Sequence, residues 1–422
     1  MKKFGDGRDW FFQKRFGFFV HWGVYSVGEK HEQELQRYRT PWSVYRTYSE
    51  RFNPVKFNPA EWLDLAESAG MEYLVFTAKH HDGFCMWNTR GTDYNVMNTP
   101  YRRDVLGMLA DECHKRAFPL VLYYSAVDWH QPNYPNLGRH HEITTDPAGH
   151  DMDAYMDFLK CQIRELCSNY GTIHGFWWDM NVPQHVDRSV NEMIRSLQPL
   201  AVINNRGYDE GDFSTPERNF QEDATIPFAT PTEACESVGV NSWGYCREED
   251  YFSVHSLQRK IASNLALGAN FLLNAGPRPD GTFPPESVQI LQSIGKWYRN
   301  VSSALTAPPC YGVLSDPSIL CTGGGRELNL ILLEEPSSST LTLRPLKELP
   351  GKAELLNRKQ MLEVTTRPVS YAATLPEALR LRKIPVEALY GEIPVIRLVF
   401  DGEVIQGRPV VCTDHAGIIA HG

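Results

Sequence analysis

What the sequence lacks narrows the field before any motif is read. It has no surplus of positive charge: 42 Lys and Arg stand against 51 Asp and Glu, a formal net charge of −9. Neither nucleic acid nor an anionic membrane surface is therefore expected as a partner, and no basic run is long enough to alter that. The apolar stretch Phe16-Gly17-Phe18-Phe19-Val20 is too short to cross a bilayer. Asp6, Arg8 and Asp9 interrupt the amino terminus, so it carries no signal-peptide core and a cytoplasmic location is expected. The nine cysteines are an odd number without metal-ligand spacing; Cys161 and Cys167 come closest to a pair, and reduced thiols are the simplest reading. No Gly-rich phosphate turn follows the first apolar strand, which weakens a dinucleotide-binding fold. Internal repeats and low-complexity tracts are missing. So is tryptophan beyond residue 300, although ten copies precede it.

What is present is an alternation. Phe16 to Tyr25 reads as a buried strand, and Pro59 to Ala69 as a helix with Pro59 in its first turn and Gly70 at its end. Strands at Tyr73–Thr77, Pro119–Tyr124, Ile173–Trp178, Ala201–Ile203 and Asn270–Asn274 alternate with helices at Asp104–Arg116, Tyr155–Tyr170, Ser189–Leu197, Ser256–Leu267 and Pro285–Arg299. The stretch from Arg206 to Tyr245 is irregular and must hide at least one strand. Such alternation means a parallel sheet. Polar and aromatic residues gather where strands end: His21-Trp22, Lys79-His80-His81-Asp82, Ser125, Asp128-Trp129, Asp179 and Asn204-Asn205-Arg206. That placement favours a closed (β/α) barrel, whose active-site loops lie at the strand C-termini. After Val301 short alternating segments appear between Gly-rich turns, which reads as a small antiparallel β-sandwich. The expected organisation is α/β: a (β/α)-barrel catalytic domain over 1–305 and a β-sandwich domain over 306–422, parted near Pro308-Pro309.

Asp179 is the leading candidate for chemistry, because it ends a strand of bulky apolar residues, Gly175-Phe176-Trp177-Trp178. Its bland alternative is a helix cap. Glycoside cleavage needs a second carboxyl group opposite the first, about 5–5.5 Å away in a retaining enzyme. Glu217, Glu222, Asp223, Glu233 and Glu236 lie in the irregular stretch, and spacing alone does not choose among them. His80-His81 resembles a metal cluster, but adjacent strand residues point to opposite faces. Both serve as hydrogen-bond partners for sugar hydroxyls without an ion, and neither metal nor cofactor is expected.

At this point the motifs resemble those of the α-L-fucosidases of glycoside hydrolase family 29. The resemblance rests on Phe18-Phe19-Val20-His21-Trp22-Gly23-Val24-Tyr25-Ser26, Lys79-His80-His81-Asp82-Gly83-Phe84, Tyr123-Tyr124-Ser125 with Asp128-Trp129, and Gly175-Phe176-Trp177-Trp178-Asp179. It continues through Asp212-Phe213-Ser214-Thr215-Pro216-Glu217, Ser242-Trp243-Gly244-Tyr245, Asn270 to Pro277 and Asp280-Gly281-Thr282, spanning roughly residues 10 to 300. It implies a β/α barrel followed by a β-sandwich, with fucosylated oligosaccharides or glycoconjugates as substrates.

The resemblance makes Asp179 the nucleophile and Glu217 the acid/base. It places His21, His80, His81, Tyr124, Trp177 and Arg206 around the sugar, with Trp22 and Trp177 as apolar walls for the C6 methyl. Glu32 and Glu233 complete the expected substrate-binding set. The family often has Glu-Trp where this chain has Glu32-Gln33, and Trp where it has Thr232. Three other readings stay open at this stage: a barrel hydrolase for another sugar such as an α-galactoside, a non-catalytic glycan-binding protein, and a metal-dependent hydrolase. Chromogenic substrates, loss of a carboxylate and a chelator respectively discriminate them. The sequence leaves a homo-oligomer open.

Overall fold

The computed structural model describes residues 2–146, 148–179, 186–218, 226–314, 316–343, 348–367, 378–403, 412–413 and 419–420. Seven parallel strands form one sheet: β1 (Phe16–Val20), β2 (Leu74–Lys79), β3 (Leu120–Ser125), β4 (Gly175–Asp179), β5 (Val202–Ile203), β6 (Glu233–Ser237) and β7 (Asn270–Ala275). Their order is β5-β4-β3-β2-β1-β7-β6. The gap between the edge strands β5 and β6 is spanned by residues 213–217. Phe213 bridges Asn204 on one side, while Ser214 and Glu217 bridge Thr232 and Cys235 on the other, all in parallel. The sheet thus curls into a barrel whose eighth stave is irregular.

The strands are buried on both faces, so they read as continuous apolar runs, yet their side chains still alternate. Phe19, Tyr73, Val75, Val121, Tyr123, Trp177, Val202, Cys235 and Leu272 pack together in the lumen. Phe16, Phe18, Leu74, Phe76, Leu122, Tyr124, Phe176, Trp178 and Phe271 pack outward against the helices. Alternation with Phe19 places Gly17 on the lumen side, where a Cβ would lie 2.3 Å from the Tyr73 ring, so the position takes glycine. Phe11 joins the lumen cluster from the amino-terminal segment, and its carbonyl accepts from Asn270 Nδ2 at 2.8 Å.

Among the described residues six longer helices surround the sheet: α1 (Pro59–Ala69), α2 (Val105–Lys115), α3 (Met152–Asn169), α4 (Ser189–Leu197), α5 (Val254–Ala266) and α6 (Pro285–Leu305). Helices α1 and α6 approach closely enough that a Cβ on Gly295 would meet the Ser68 carbonyl at 2.0 Å.

The C-terminal strands are antiparallel. One sheet orders β12 (Gln360–Met361), β11 (Lys352–Leu355), β15 (Val395–Val399), β9 (Glu327–Leu332) and β8 (Ile319–Gly324); the other orders β10 (Thr340–Leu343), β14 (Ala378–Arg382) and β13 (Glu363–Arg367). Leu328, Leu330, Leu355, Leu381 and Leu398 form a core between them. Ile331 and Val395 instead join the barrel cluster, and Trp297 of α6 donates to the Ile393 carbonyl at 3.0 Å. The expected barrel and sandwich are both present. One element differs from the expectation: β1 stops at Val20, before a 3₁₀ turn at Val24–Gly28, while β6 is the strand expected within the irregular stretch from Arg206 to Tyr245.

Candidate active site

Asp179 is the last residue of β4 and pairs with Ser125. Two residues earlier on each strand, Trp177 pairs with Tyr123, so all these side chains share the lumen face. The Tyr123 hydroxyl donates to Asp179 Oδ2 at 2.7 Å and Arg206 Nη1 donates to Oδ1 at 3.1 Å. His81 Nε2 lies 3.8 Å from Oδ2. Burial opposes the charge on Asp179. The Arg206 guanidinium, then His81, the Tyr123 hydroxyl and His141 outweigh it and hold the carboxyl below its ordinary range.

Glu217 sits on the irregular stave, where its Oε1 accepts from that same Arg206 Nη1. Two carboxylate oxygens that contact one nitrogen stand no more than about 6 Å apart, the sum of two hydrogen-bond lengths. Arg206 is held in turn by the Thr215 carbonyl at 2.6 Å and lies 4.7 Å over the Trp177 ring. The Glu217 side chain is 36% exposed. Loss of solvent around it and the charge of Asp179 nevertheless push its pKa up, against the pull of Arg206. One carboxyl is thus biased towards the anion and its neighbour towards the acid.

A β-bulge sets the histidines. The register of β2 on β3 shifts between Thr77 and Lys79, which turns Lys79 outward to Asp128 at 2.7 Å and to the Tyr124 ring. His80 then stacks on Tyr123, with centroids 5.5 Å apart. His81 Nδ1 meets Ser125 Oγ at 2.6 Å. The shift gives the lumen to His80, and because β2 ends at Lys79 the chain is free of strand alternation beyond it, so the adjacent His81 also turns inward. His21, two residues beyond Phe19, meets Asn274 Oδ1 at 2.8 Å and stacks on Trp243. Burial pushes His21 and His81 down to about 4 and His80 well below its usual value, so all three are neutral at pH 7. Glu32 Oε2 accepts from Ser242 Oγ, Trp243 N and Gly244 N. Despite burial, His31 and those donors hold its carboxyl at about 2. Among the described residues, Glu32 Oε1 and His80 Nδ1 are buried without a hydrogen-bond partner. The site therefore offers two inequivalent carboxyls, fixed neutral imidazoles and unused polar atoms, a set suited to a polyhydroxylated ligand.

A family model described as Alpha-L-fucosidase matches residues 5–302. The chain belongs to the alpha-L-fucosidase family. It is 27% identical over 395 residues to tissue alpha-L-fucosidase of Bos taurus, covering 85% of this chain and 82% of that one. Alpha-L-fucosidase isoenzyme 1 from Paenibacillus thiaminolyticus superposes with a TM-score of 0.83 and 30% identity, over 94% of this chain and 100% of that chain. A GH29 alpha-L-fucosidase from Bacteroides thetaiotaomicron, solved as a trapped covalent intermediate with 2-fluoro-fucosyl fluoride, gives a TM-score of 0.78 at 25% identity, over 94% and 97% of the two chains.

Within this fucosidase fold, the expected site residues divide. Asp179, Glu217, His21, His80, His81, Glu32, Trp177 and Arg206 lie around one mouth. Three others do not. Tyr124 points outward and donates to Gln162 at 2.6 Å, because strand alternation gives the lumen to Tyr123 instead. Trp22 packs on Phe52, Phe57 and Trp62 and donates to the Arg278 carbonyl, so it walls the outer layer and not the sugar. Glu233 is the first residue of β6, buried in the barrel floor, where it accepts from Tyr73 and Trp177. Glu236 faces outward and pairs with Lys260 at 2.6 Å, while Glu222 and Asp223 lie outside the described residues. Tyr123, Trp243 and Ser242 were not singled out, although motifs containing them were. Among the described residues no group of three or more His, Cys, Asp or Glu is arranged to hold a metal ion.

Proposed function

We propose that this chain is a retaining exo-α-L-fucosidase that removes terminal α-linked L-fucose from glycans by double displacement. The observation that supports it most directly is the pair Asp179 and Glu217 bridged by one Arg206 nitrogen. That spacing suits the about 5–5.5 Å of retaining enzymes and leaves no room for the water that inverting enzymes place between carboxyls about 6.5–9.5 Å apart.

In the first step an Asp179 oxygen forms a bond to the anomeric carbon. The bond to the leaving oxygen breaks, and the proton of Glu217 passes to that oxygen. In the second step Glu217, now a carboxylate, takes a proton from water. The water oxygen bonds to the anomeric carbon, the ester to Asp179 breaks, and fucose leaves with retained configuration. The neutral imidazoles of His21, His80 and His81 and the free Glu32 oxygen bind the ring hydroxyls. The indole of Trp243 offers apolar surface at the mouth. In this reading residues 1–305 carry the chemistry and 306–422 buttress it.

The test is the Asp179→Ala variant. Turnover should fall by several orders of magnitude and partly recover with azide, yielding β-fucosyl azide. Substantial activity without azide would remove Asp179 from the nucleophile role, and proton NMR showing β-fucose as the first product of the wild type would exclude retention.

A further inference from the structure

Glu233 lies beneath the site and has no part in the steps above. Both of its hydrogen-bond partners are neutral: Trp177 Nε1 donates to Oε1 at 3.1 Å and the Tyr73 hydroxyl donates to Oε2. Burial among such partners pushes its carboxyl up to about 7. A buried carboxyl is a costly way to satisfy one indole and one phenol, so its position is informative.

The indole it holds is a shared surface. Arg206 lies 4.7 Å over the Trp177 ring, and Tyr123 stacks on it with centroids 5.6 Å apart and planes 19° from parallel. Phe19 packs against it at 5.3 Å. Arg206 and Tyr123 are the two groups that hydrogen-bond Asp179. The indole N–H is the only point at which a hydrogen bond can fix the rotation of that ring about its side-chain torsions.

We propose that Glu233 is a positioning residue for the glycosidase reaction: by accepting the Trp177 N–H it fixes the plate against which both donors to Asp179 are held. This rests on the reading of Asp179 as nucleophile. It also separates Glu233 from any role as proton donor, since its oxygens are spent in the floor of the barrel. The groups that lower the Asp179 carboxyl against its burial are Arg206, His81, Tyr123 and His141, and Glu217 shares Arg206 with it; Arg206 and Tyr123 lean on Trp177.

The experiment compares Glu233→Gln with Glu233→Leu. Gln keeps an acceptor for the indole and a polar group for Tyr73; Leu keeps bulk and removes the acceptor. With Leu, kcat/KM on an aryl fucoside should fall on the order of tenfold to a hundredfold, the scale of a small misplacement in a reacting site. The acidic limb of its pH profile should move to higher pH, because Asp179 loses well-placed donors. With Gln both rate and limb should stay near wild type. If Leu yields no folded protein, Glu233→Met supplies the same comparison.

A rate loss with an unmoved acidic limb would make the residue merely structural and overturn the proposal, as would a Leu variant equal to wild type. Gln variants that fail on disaccharides but spare aryl fucosides would make Glu233 the proton donor, with the same consequence. A wild-type protein inactive on every fucoside would instead overturn the functional reading. The near-ultraviolet circular dichroism of Trp177, altered in Leu and preserved in Gln, would still test the positioning.

Discussion

Replacing Tyr123 by Phe removes one oxygen from the lumen and leaves the ring that stacks on Trp177 and His80. The lost interaction is a 2.7 Å hydrogen bond to Asp179 Oδ2, and Asp179 is only 8% exposed, so bulk water is a poor substitute. A hydrogen bond to a charged group contributes about 1.5–3 kcal/mol, and one pKa unit corresponds to about 1.4 kcal/mol. Arg206 still holds the other oxygen at 3.1 Å, which favours the lower end of that range. The Asp179 carboxyl should therefore rise by about one unit. The sign is fixed by chemistry: the donor stabilises the anion, the proposed mechanism needs Asp179 as the anion, and so the acidic limb of kcat/KM moves to higher pH. Stability gives a second reading. The folded-state value of Asp179 is depressed, so its stabilising contribution is present above its unfolded value and is lost as pH falls through the folded one. The variant should be less stable than wild type near neutrality, and this difference should vanish at low pH. Profiles of an aryl fucoside and chemical denaturation at several pH values check both. A folded variant whose acidic limb has not moved would refute this account of the Asp179 charge.

Glu217→Ala should slow a natural disaccharide far more than an activated aryl fucoside and should remove the alkaline limb of the pH profile; equal losses on both substrates would disqualify it as proton donor. Tyr124→Phe, which touches only the outer layer, should leave kcat and KM close to wild type and lower stability by about 1 kcal/mol through the lost bond to Gln162; a large change in KM would return Tyr124 to the sugar site. Gly295→Val must push α6 away from the Ser68 carbonyl and should cost about 1–3 kcal/mol in a thermal or chemical melt, while turnover of the folded fraction stays unchanged. Exhaustive EDTA dialysis should leave activity intact, since His21 and His81 have side-chain partners of their own; a loss reversed by a divalent ion would contradict that reading.

The alternation of buried strands and helices was legible because β1 to β4 and β7 are apolar on both faces. It implied a strand within 206–245 without locating β6, whose sequence Glu233-Ala234-Cys235-Glu236-Ser237 puts a carboxyl on each face, one spent in the lumen and one paired to Lys260. No hydropathy pattern marks such a strand. Asp179, the histidine pair and Arg206 were found because they stand where strands end. Tyr124 is placed at the sugar by the family resemblance alone; a period of two assigns faces only once one residue is anchored, and Asp179 and Trp177 on the neighbouring strand provide that anchor for Tyr123 through the register of β3 on β4. Trp22 was misplaced for a related reason: His21 takes the lumen, so its neighbour cannot. The bulge between Thr77 and Lys79 leaves no mark in a sequence without breakers, yet together with the end of β2 at Lys79 it decides where His80 and His81 point.

The irregular stave at 213–217 has a further meaning for redesign. A regular barrel strand is locked by a continuous ladder, and a slip of one residue turns every side chain to the opposite face. Asp179 is locked in this way, through five consecutive pairings of β3 with β4. Glu217 is not: its stave touches its neighbours at three separate bridges, and the carboxyl is steered by Arg206. One carboxyl is thus fixed by a continuous ladder, the other by isolated bridges and one guanidinium. Changing the length of this stave should therefore move Glu217 relative to Asp179 far more than it moves Asp179 within β4.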